Sequence, residues 1–172
     1  MGHDKAAIDL EGEPLLLRIG RRLEHATDEV LVAGGAPKGE PWPRFADHRT
    51  GCGPLAGIET GLRAMRGEWG CFVASDMPHL QVALLRGLVE AARSGHDDAV
   101  VLMDDNGIHP LLAAYSASCL PVVRECLDEG LRRADGFHDR IRTRTWRQPE
   151  WSHLDPECIS STNWNRPADL PS

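Results

Sequence analysis

The sequence predicts an α/β fold in one domain, with a parallel or mixed sheet covered by helices on both faces. Short apolar runs alternate with segments of helical spacing along the chain. The run Trp69–Val73 has no helical spacing, and the chain reaches the acid Asp76 soon after it, as expected for a buried central strand. Residues 104–107 are a turn signal, so residues 109–115 are predicted to return as an antiparallel hairpin partner.

Composition favours a globular protein in which residues 1–172 form a single domain. Apolar residues make up 41% and charged residues 26% of the 172, enough for a real core. The net charge of −7 argues against a general nucleic-acid binder, which would carry a basic face. No run of 18 apolar residues is present, and the start of the chain is polar, so neither a membrane helix nor a signal peptide is predicted.

Cysteine and histidine spacing argues against a disulfide framework and against a zinc site. The five cysteines are odd in number and include no C-x-x-C pair, and the eight histidines show no H-x-x-x-H spacing. This usage is typical of reduced thiols, which predicts a cytoplasmic protein.

Each element follows from a local pattern of apolar residues and breakers. The predicted helices have apolar residues at helical spacing, and they cover residues 15–23, 55–65, 82–93, 119–127 and 131–141. The predicted strands are short apolar or alternating runs, and they cover residues 28–33, 42–47, 69–75, 99–103, 109–115 and 143–147. Residues 34–39 form a glycine-rich loop, which we interpret as a plain turn. A phosphate loop would lead into a helix, whereas Glu40-Pro-Trp-Pro43 follows here.

Two stretches carry the candidate chemistry. Asp76 is predicted at the carboxyl end of a strand, where open α/β sheets bind ligands and where a carboxylate suits Mg²⁺. Capping of the following turn is an equally compatible role for Asp76. Residues 50–57 contain three glycines and Pro54 and lead into a helix, so their backbone N–H groups can face an anion or a base edge. The alternative is a turn without a ligand.

Several short motifs stand in an order that resembles a known family. They are Met1-Gly-x-Asp4-Lys5, Leu10-x-Gly12-x-Pro14-Leu15, Gly53-Pro-Leu-Ala-Gly57-Ile, Ser75-Asp-Met-Pro78-x-Leu80, His109-Pro110, Arg132-Arg133 and Asn163-x-Asn165-x-Pro167-x-Asp-Leu170. The set covers nearly the whole chain and resembles the molybdenum cofactor guanylyltransferases, the MobA-like branch of the nucleotidyltransferases. The resemblance implies a Rossmann-like three-layer α/β/α nucleotidyltransferase fold, mostly parallel with one antiparallel hairpin strand.

The resemblance also implies an activity and its substrates. The expected reaction transfers GMP from Mg·GTP to the terminal phosphate of the molybdenum-bearing molybdopterin and releases pyrophosphate. GTP and molybdopterin are the expected substrates, and a molybdoenzyme or a cofactor-assembly protein is an expected partner; nucleic acid and membrane are not. The alternatives are a related enzyme that uses CTP or another phosphorylated acceptor, and a non-catalytic nucleotide-binding or partner-binding module.

Site residues are carried over from the same resemblance. Asp76 is expected to bind Mg²⁺ and to meet the nucleotide, and Lys5 is expected to contact the GTP phosphates; both are the expected catalytic residues. Asp47 and Gly53 are expected in the nucleotide site. The residues expected on the pterin side are His109, Arg132, Arg133, Asn163 and Asn165. Both reacting groups are anions, so a cation and an ammonium are the charges that such a transfer requires.

The sequence departs from the family pattern at two places. The strand and the Leu-Ala-Gly-Gly-x-x-x-Arg loop that precede Met-Gly-x-Asp-Lys in the family are absent, and Val32-Ala-Gly-Gly35 lies too late to replace them. Either the natural start lies upstream, the explanation that we favour, or the short chain is a pseudoenzyme. A sheet without that central strand would leave the backbone groups of two strands unpaired. Ala33 also stands where the family often has a polar residue near the nucleotide.

Overall fold

The structure of the protein is a computed structural model that describes residues 9–10, 12–35 and 39–162. The strands in this part are β1 (Asp9–Leu10), β2 (Glu13–Pro14), β3 (Val32–Ala33), β4 (Arg44–Phe45), β5 (Trp69–Val73), β6 (Ala99–Asp104), β7 (Gly107–Ser116) and β8 (Thr143–Arg147). The α-helices are α1 (Leu15–Glu24), α2 (Gly53–Ala64), α3 (Val82–Ser94), α4 (Leu120–Asp128) and α5 (Gln148–Trp151). No helix of the described residues is long and apolar enough to cross a membrane.

The main sheet has four strands in the order β5-β7-β6-β8. β7 runs antiparallel to both of its neighbours, whereas β6 and β8 are parallel. Three strands therefore share one direction and β7 opposes them, which confirms the predicted mixed sheet with one antiparallel hairpin strand. Asp104 and Gly107 face each other at the hairpin, as the turn signal at residues 104–107 predicts.

Helices cover both faces of this sheet. Successive residues of a strand point to opposite faces, and Val100 and Val101 accordingly enter two different cores. α2 and α4 pack over one face with Tyr115 and Phe137. α3 and Ile19 of α1 pack over the other face with Trp146 and Trp151. These two cores make the three layers of an α/β/α fold.

The prediction of a helix over residues 131–141 is wrong. These residues form successive turns and one short 3₁₀ segment, His138–Arg140. Buried Ala134 and Phe137 are three residues apart, a spacing that a helix and a series of tight turns can both produce. Hydrogen bonds from Gly136 N to Arg133 O and from His138 N to Asp135 O close those turns instead.

The sheet is interrupted beside β5. β3 and β4 form a separate parallel pair, and no strand of the described residues pairs with the edge of β5 that faces away from β7. A cleft of about 810 Å³ is lined by residues of both β3 and β5, with α1 and α2 also contributing to its walls. We call it the inter-sheet cleft. In the described part of the chain β5 is thus a half-buried edge strand, and the prediction of a buried central strand is wrong there because of this cleft.

Candidate nucleotide site

One end of the inter-sheet cleft is built where β3 and β4 end. Gly34 N, just after β3, donates to the carbonyl of Phe45, the last residue of β4, at 2.8 Å. This hydrogen bond keeps the ends of the two strands together. Asp47 follows β4, and Thr60 Oγ1 donates to Asp47 Oδ1 at 2.8 Å. A Cβ on Gly34 would lie 2.8 Å from Asp47 Oδ2. The Asp47 carboxylate is therefore held between the backbone of Gly34 and the Thr60 hydroxyl, in the wall of the cleft.

The loop after β3 is also fixed in place. Gly34 and Gly35 have φ angles of 73° and 67°, a region that L side chains rarely adopt. Arg44 Nη1 donates to Gly34 O, and Arg44 Nε donates to Glu40 Oε1. The sequence suggested a plain turn here, whereas the structure places both glycines in the wall of the cleft. The two adjacent glycines at a strand end were the available signal.

Gly53 begins α2 and lies against the segment that carries Arg132. Its φ is 69°, and an added Cβ would lie 2.8 Å from Arg132 O. Leu55 N donates to that same carbonyl at 3.2 Å, so it satisfies one N–H of the first turn of α2. The Arg132 guanidinium instead donates to Leu127 O, in the last turn of α4, at 3.3 Å and to Leu131 O at 2.9 Å. Gly53 lines the cleft, and the Arg132 backbone carbonyl lies against the start of α2.

Asp76 and His109 lie at the same end of the β5–β7 pair. Val73 is paired with Leu112 in this antiparallel pair. Asp76 lies three residues after Val73, and His109 lies three residues before Leu112, so both are beyond the same end of the pairing. Ser75, next to Asp76, lines the cleft. The buried residues Met77 and Pro78 anchor the chain immediately after Asp76. The expected carboxylate is thus at the end of β5, beside the cleft.

His109 belongs to a half-buried polar cluster at the β6–β7 hairpin. Its Nε2 lies 2.9 Å from Asp104 Oδ2, and Ser161 Oγ donates to the same oxygen at 2.7 Å. Burial by itself raises the pKa of Asp104, but His109, Ser161 and the Asn106 N–H together outweigh burial and hold this pKa below its ordinary value. The sequence marked Asp104 only as a turn residue, because Ser161 is 57 residues away along the chain.

Three expected site residues, Lys5, Asn163 and Asn165, lie outside the described residues. Arg133 is at the surface, where its Nη2 donates to Asp135 Oδ2 at 2.8 Å. The structure therefore brings Asp47 and Gly53 together with Gly34, Gly35 and Thr60 in the lining of the cleft. The sequence interpreted the two glycines only as part of a turn and did not single out Thr60.

The donor set suits a metal ion that arrives with a nucleotide. The described residues contain no group of three or more His, Cys, Asp or Glu side chains arranged to hold a metal ion. Mg²⁺ commonly takes only one or two carboxylates and completes its shell with water and substrate phosphates. A strand-end carboxylate such as Asp76 fits that requirement, whereas a closed structural metal site does not fit this part of the chain.

Comparison with known proteins agrees with the fold. Residues 1–141 match the family described as the MobA-like NTP transferase domain. A molybdenum cofactor guanylyltransferase of Pseudomonas fluorescens (strain Pf0-1) is 30% identical over 173 residues, which are 94% of this chain and 86% of that relative.

Two solved structures share the fold. Molybdopterin-guanine dinucleotide biosynthesis protein A from Archaeoglobus fulgidus superimposes with a TM-score of 0.86 at 23% identity, over 98% of this chain and 88% of that one. 2-C-methyl-D-erythritol 4-phosphate cytidylyltransferase from Thermus thermophilus gives a TM-score of 0.69 at 18% identity, over 96% of this chain and 90% of that one.

Proposed function

Because the chain belongs to the MobA-like NTP transferase family, we propose that this nucleotidyltransferase transfers GMP from Mg·GTP to the terminal phosphate of molybdenum-bearing molybdopterin. The observation that carries the proposal is the clustering of Asp47, Gly34 and Gly53 in one cleft, with Asp76 at the end of the strand that lines it. The relative from Pseudomonas fluorescens, named for this reaction class, supports the choice of substrates.

In the proposed reaction, an oxygen of the pterin phosphate attacks the α-phosphorus of GTP. A new P–O bond forms, the bond to the β-phosphate oxygen breaks, and pyrophosphate leaves with the bonding electron pair. Asp76 holds Mg²⁺, which neutralises phosphate charge when it is bound. Lys5 contacts the phosphates, and Asp47 accepts hydrogen bonds from the nucleoside. The three roles require groups of fixed charge and position more than covalent participation.

The pterin side of the site is assigned to His109, Arg132, Arg133, Asn163 and Asn165. For His109 the structure offers specific support, since Asp104 contacts its Nε2 and fixes the imidazole at the end of the sheet that also carries Asp76. With the Nε2 N–H directed to Asp104, Nδ1 is the ring atom left for the substrate: in the neutral imidazole it accepts from a pterin N–H, and in the imidazolium it donates to a phosphate oxygen.

Base selectivity is the open part of the proposal. Ala33 is exposed at the end of β3 in the wall of the cleft, and its methyl group offers no hydrogen bond to a base. A CTP-dependent transfer to the same pterin is therefore the second candidate. A panel of GTP, CTP and ATP, each with and without Mg²⁺, separates the two by thermal unfolding.

We expect a Mg²⁺-dependent stabilisation by GTP alone. A ligand at 100 times its dissociation constant adds about 2.7 kcal/mol to the free energy of unfolding. Equal stabilisation by CTP would favour the second candidate. Stabilisation by no nucleotide would contradict the proposed substrates and favour a non-catalytic module.

Asp76→Asn tests the catalytic assignment. Removal of the carboxylate charge should lower the rate of pyrophosphate release with GTP and molybdopterin about a hundredfold, because one charge contact to the transition state typically supplies about 3 kcal/mol. Asp105→Asn, in the exposed hairpin turn, is the matched control and should keep the wild-type rate. Equal rates in both variants would contradict the role of Asp76.

A further inference from the structure

We propose that Thr60 is a positioning residue of the nucleotide site: its hydroxyl holds the Asp47 carboxylate against Gly34, so that this carboxylate faces the inter-sheet cleft. The inference rests on the proposed function, in which Asp47 accepts hydrogen bonds from the nucleoside. Nothing in the sequence connects the two residues, since 13 positions separate them and they lie on different elements.

Thr60 is placed for this task by α2. It is 2% exposed, and its hydroxyl lies 2.8 Å from Asp47 Oδ1 and 2.9 Å from the carbonyl of Ala56, one turn earlier. A hydroxyl has one hydrogen, and both neighbours can only accept. The carboxylate is the charged acceptor, and hydrogen bonds to charged acceptors are the stronger ones. The single hydrogen is therefore shared between the two acceptors, with the Asp47 carboxylate as the stronger one.

Asp47 needs such a contact because its own backbone is weakly constrained. β4 is only two residues long, and Asp47 follows it in a segment without helix or strand. Thr60 is the only side chain among the described residues that donates a hydrogen bond to this carboxylate. Without this hydrogen bond, the half-exposed carboxylate can rotate towards water. Part of the binding energy of the nucleotide must then be used to fix the carboxylate in one orientation.

The shape of the site directs the two oxygens differently. Oδ1 is bound to Thr60, and Oδ2 lies on the side of Gly34, where a Cβ would approach it to 2.8 Å. Gly34, Asp47 and Thr60 all line the cleft. An acceptor held in this way presents a fixed lone-pair direction to the N–H or O–H groups of a nucleoside, which favours affinity through preorganisation.

The alternative is that Thr60 serves only the helix, because threonine often bonds the carbonyl four residues earlier. The two roles differ in their consequences. A purely structural Thr60 affects the stability of α2 and leaves affinity for the nucleotide unchanged. A positioning Thr60 affects GTP affinity, and most strongly while Asp47 is a carboxylate.

Thr60→Val and Thr60→Ser, each in the wild-type and Asp47→Asn backgrounds, distinguish these roles. Valine keeps the β-branched shape and removes the donor, whereas serine keeps the hydroxyl. The dissociation constant of Mg·GTP, the KM values for GTP and for molybdopterin, and the Tm are measured for each. If the valine variant does not unfold cooperatively, Thr60→Ala replaces it.

We expect Thr60→Val to raise the dissociation constant and the KM for GTP about tenfold, as for the loss of one hydrogen bond to a charged group. The KM for molybdopterin should stay within about twofold. Thr60→Ser should retain wild-type affinity, and Thr60→Val should have a clearly smaller effect in the Asp47→Asn background, because the neutral amide oxygen accepts the Thr60 hydrogen bond less strongly and coupled residues are not additive.

Wild-type affinity in Thr60→Val, or an equal loss in the Asp47→Asn background, would overturn the role of Thr60 and leave the proposed function intact. Absence of Mg·GTP binding by the wild-type chain would instead overturn the proposed function, and the role of Thr60 with it.

Discussion

At the scale of single residues, Gly34 has two independent reasons to be glycine. Its φ of 73° is strained for any L side chain, and a Cβ would collide with the Asp47 carboxylate. Gly39 lies nearby with a similar φ of 82°, but no atom lies within 4 Å of a Cβ added there. A comparison of alanine variants at Gly34 and Gly39 therefore separates the cost of backbone strain from the cost of moving Asp47.

Gly34→Ala should lower both the stability and the affinity for Mg·GTP. Strain should cost about 1–2 kcal/mol of unfolding free energy in Gly34→Ala and in the control Gly39→Ala alike. Only Gly34→Ala should weaken GTP binding, since only it displaces Asp47. Thermal unfolding and titration of GTP measure the two effects, and equal GTP affinity in both variants would contradict a role for Gly34 at the site.

His138 gives the core a histidine whose protonation depends on folding. Tyr115 OH donates to Pro110 O at 2.9 Å, so His138 Nε2, also 2.9 Å from the hydroxyl, is the donor to Tyr115. Burial lowers the pKa of His138 below its ordinary value, although the Asp135 and Asp139 carboxylates oppose this shift. His138 is therefore neutral in the folded protein at a pH where the unfolded chain already binds a proton.

Stability should consequently fall as the pH falls below about 6.5, the ordinary histidine pKa, because the unfolded chain then binds more protons than the folded one. The contribution is fully present above that pH. His138→Gln, which keeps a polar side chain, should flatten the dependence of Tm on pH between about 7 and 5.5. An identical slope in the variant and the wild type would show that other groups cause the loss.

At the scale of elements, α2 connects the parts of the site. It begins at Gly53, carries Thr60, and packs on both β3 and β5. Glu59, next to Thr60 in α2, has a side chain that is 1% exposed and lies 3.4 Å from Arg49 and 3.9 Å from both Arg63 and Arg124. Its Oε2 accepts no hydrogen bond from the described residues. The carboxylate thus joins α2 to α4 and to the segment that follows Asp47 mainly through charge.

Glu59→Gln should destabilise the protein by about 1–2 kcal/mol, because three guanidinium groups lose their shared counter-charge; their partial exposure keeps the cost below that of a fully buried pair. Glu129→Gln is the control, since Glu129 and Arg140 form an exposed ion pair, and such pairs contribute about 0–1 kcal/mol. Denaturant unfolding measures both. A smaller loss for Glu59→Gln than for Glu129→Gln would contradict this account of α2.

At the scale of the whole molecule, the inter-sheet cleft leaves one edge of β5 without a partner strand among the described residues. Ala74 N donates to Leu111 O and Ala117 N donates to Glu68 O, so alternate residues of β5, including Phe72, bond to β7. Trp69, Cys71 and Val73 then direct their backbone groups towards the cleft. An open edge of this kind is a place where backbone groups rely on solvent.

Amide hydrogen exchange should therefore alternate along β5. The amides of Cys71 and Val73 should exchange at least about tenfold faster than that of Phe72, because they lack a partner strand in the described structure. NMR measurement of amide hydrogen exchange resolves the three amides individually. Equal protection at all three would mean that polypeptide covers this edge of β5 in solution.

Local patterns predicted most of the fold from the sequence. The alternation of apolar runs with helical spacing indicated a layered α/β domain, and the turn signal at residues 104–107 indicated the antiparallel return of β7. Such features depend on neighbours within a few residues, so the sequence contains them. The prediction for residues 131–141 failed because the spacing of apolar residues there suits a helix and a series of turns equally.

The sequence by itself determined the family resemblance, most of the order of strands and helices, and the placement of Asp47, Gly53 and Asp76 at element ends, and it indicated that strands would be left unpaired. Tertiary structure alone decided that Gly34 and Thr60 enclose Asp47, that Asp104 and Ser161 contact one another beside His109, and that the open edge among the described residues belongs to β5. The physical reason is range. Periodicity and turn chemistry act between near neighbours, whereas hydrogen bonds and unpaired edges depend on which distant segments the two cores bring together.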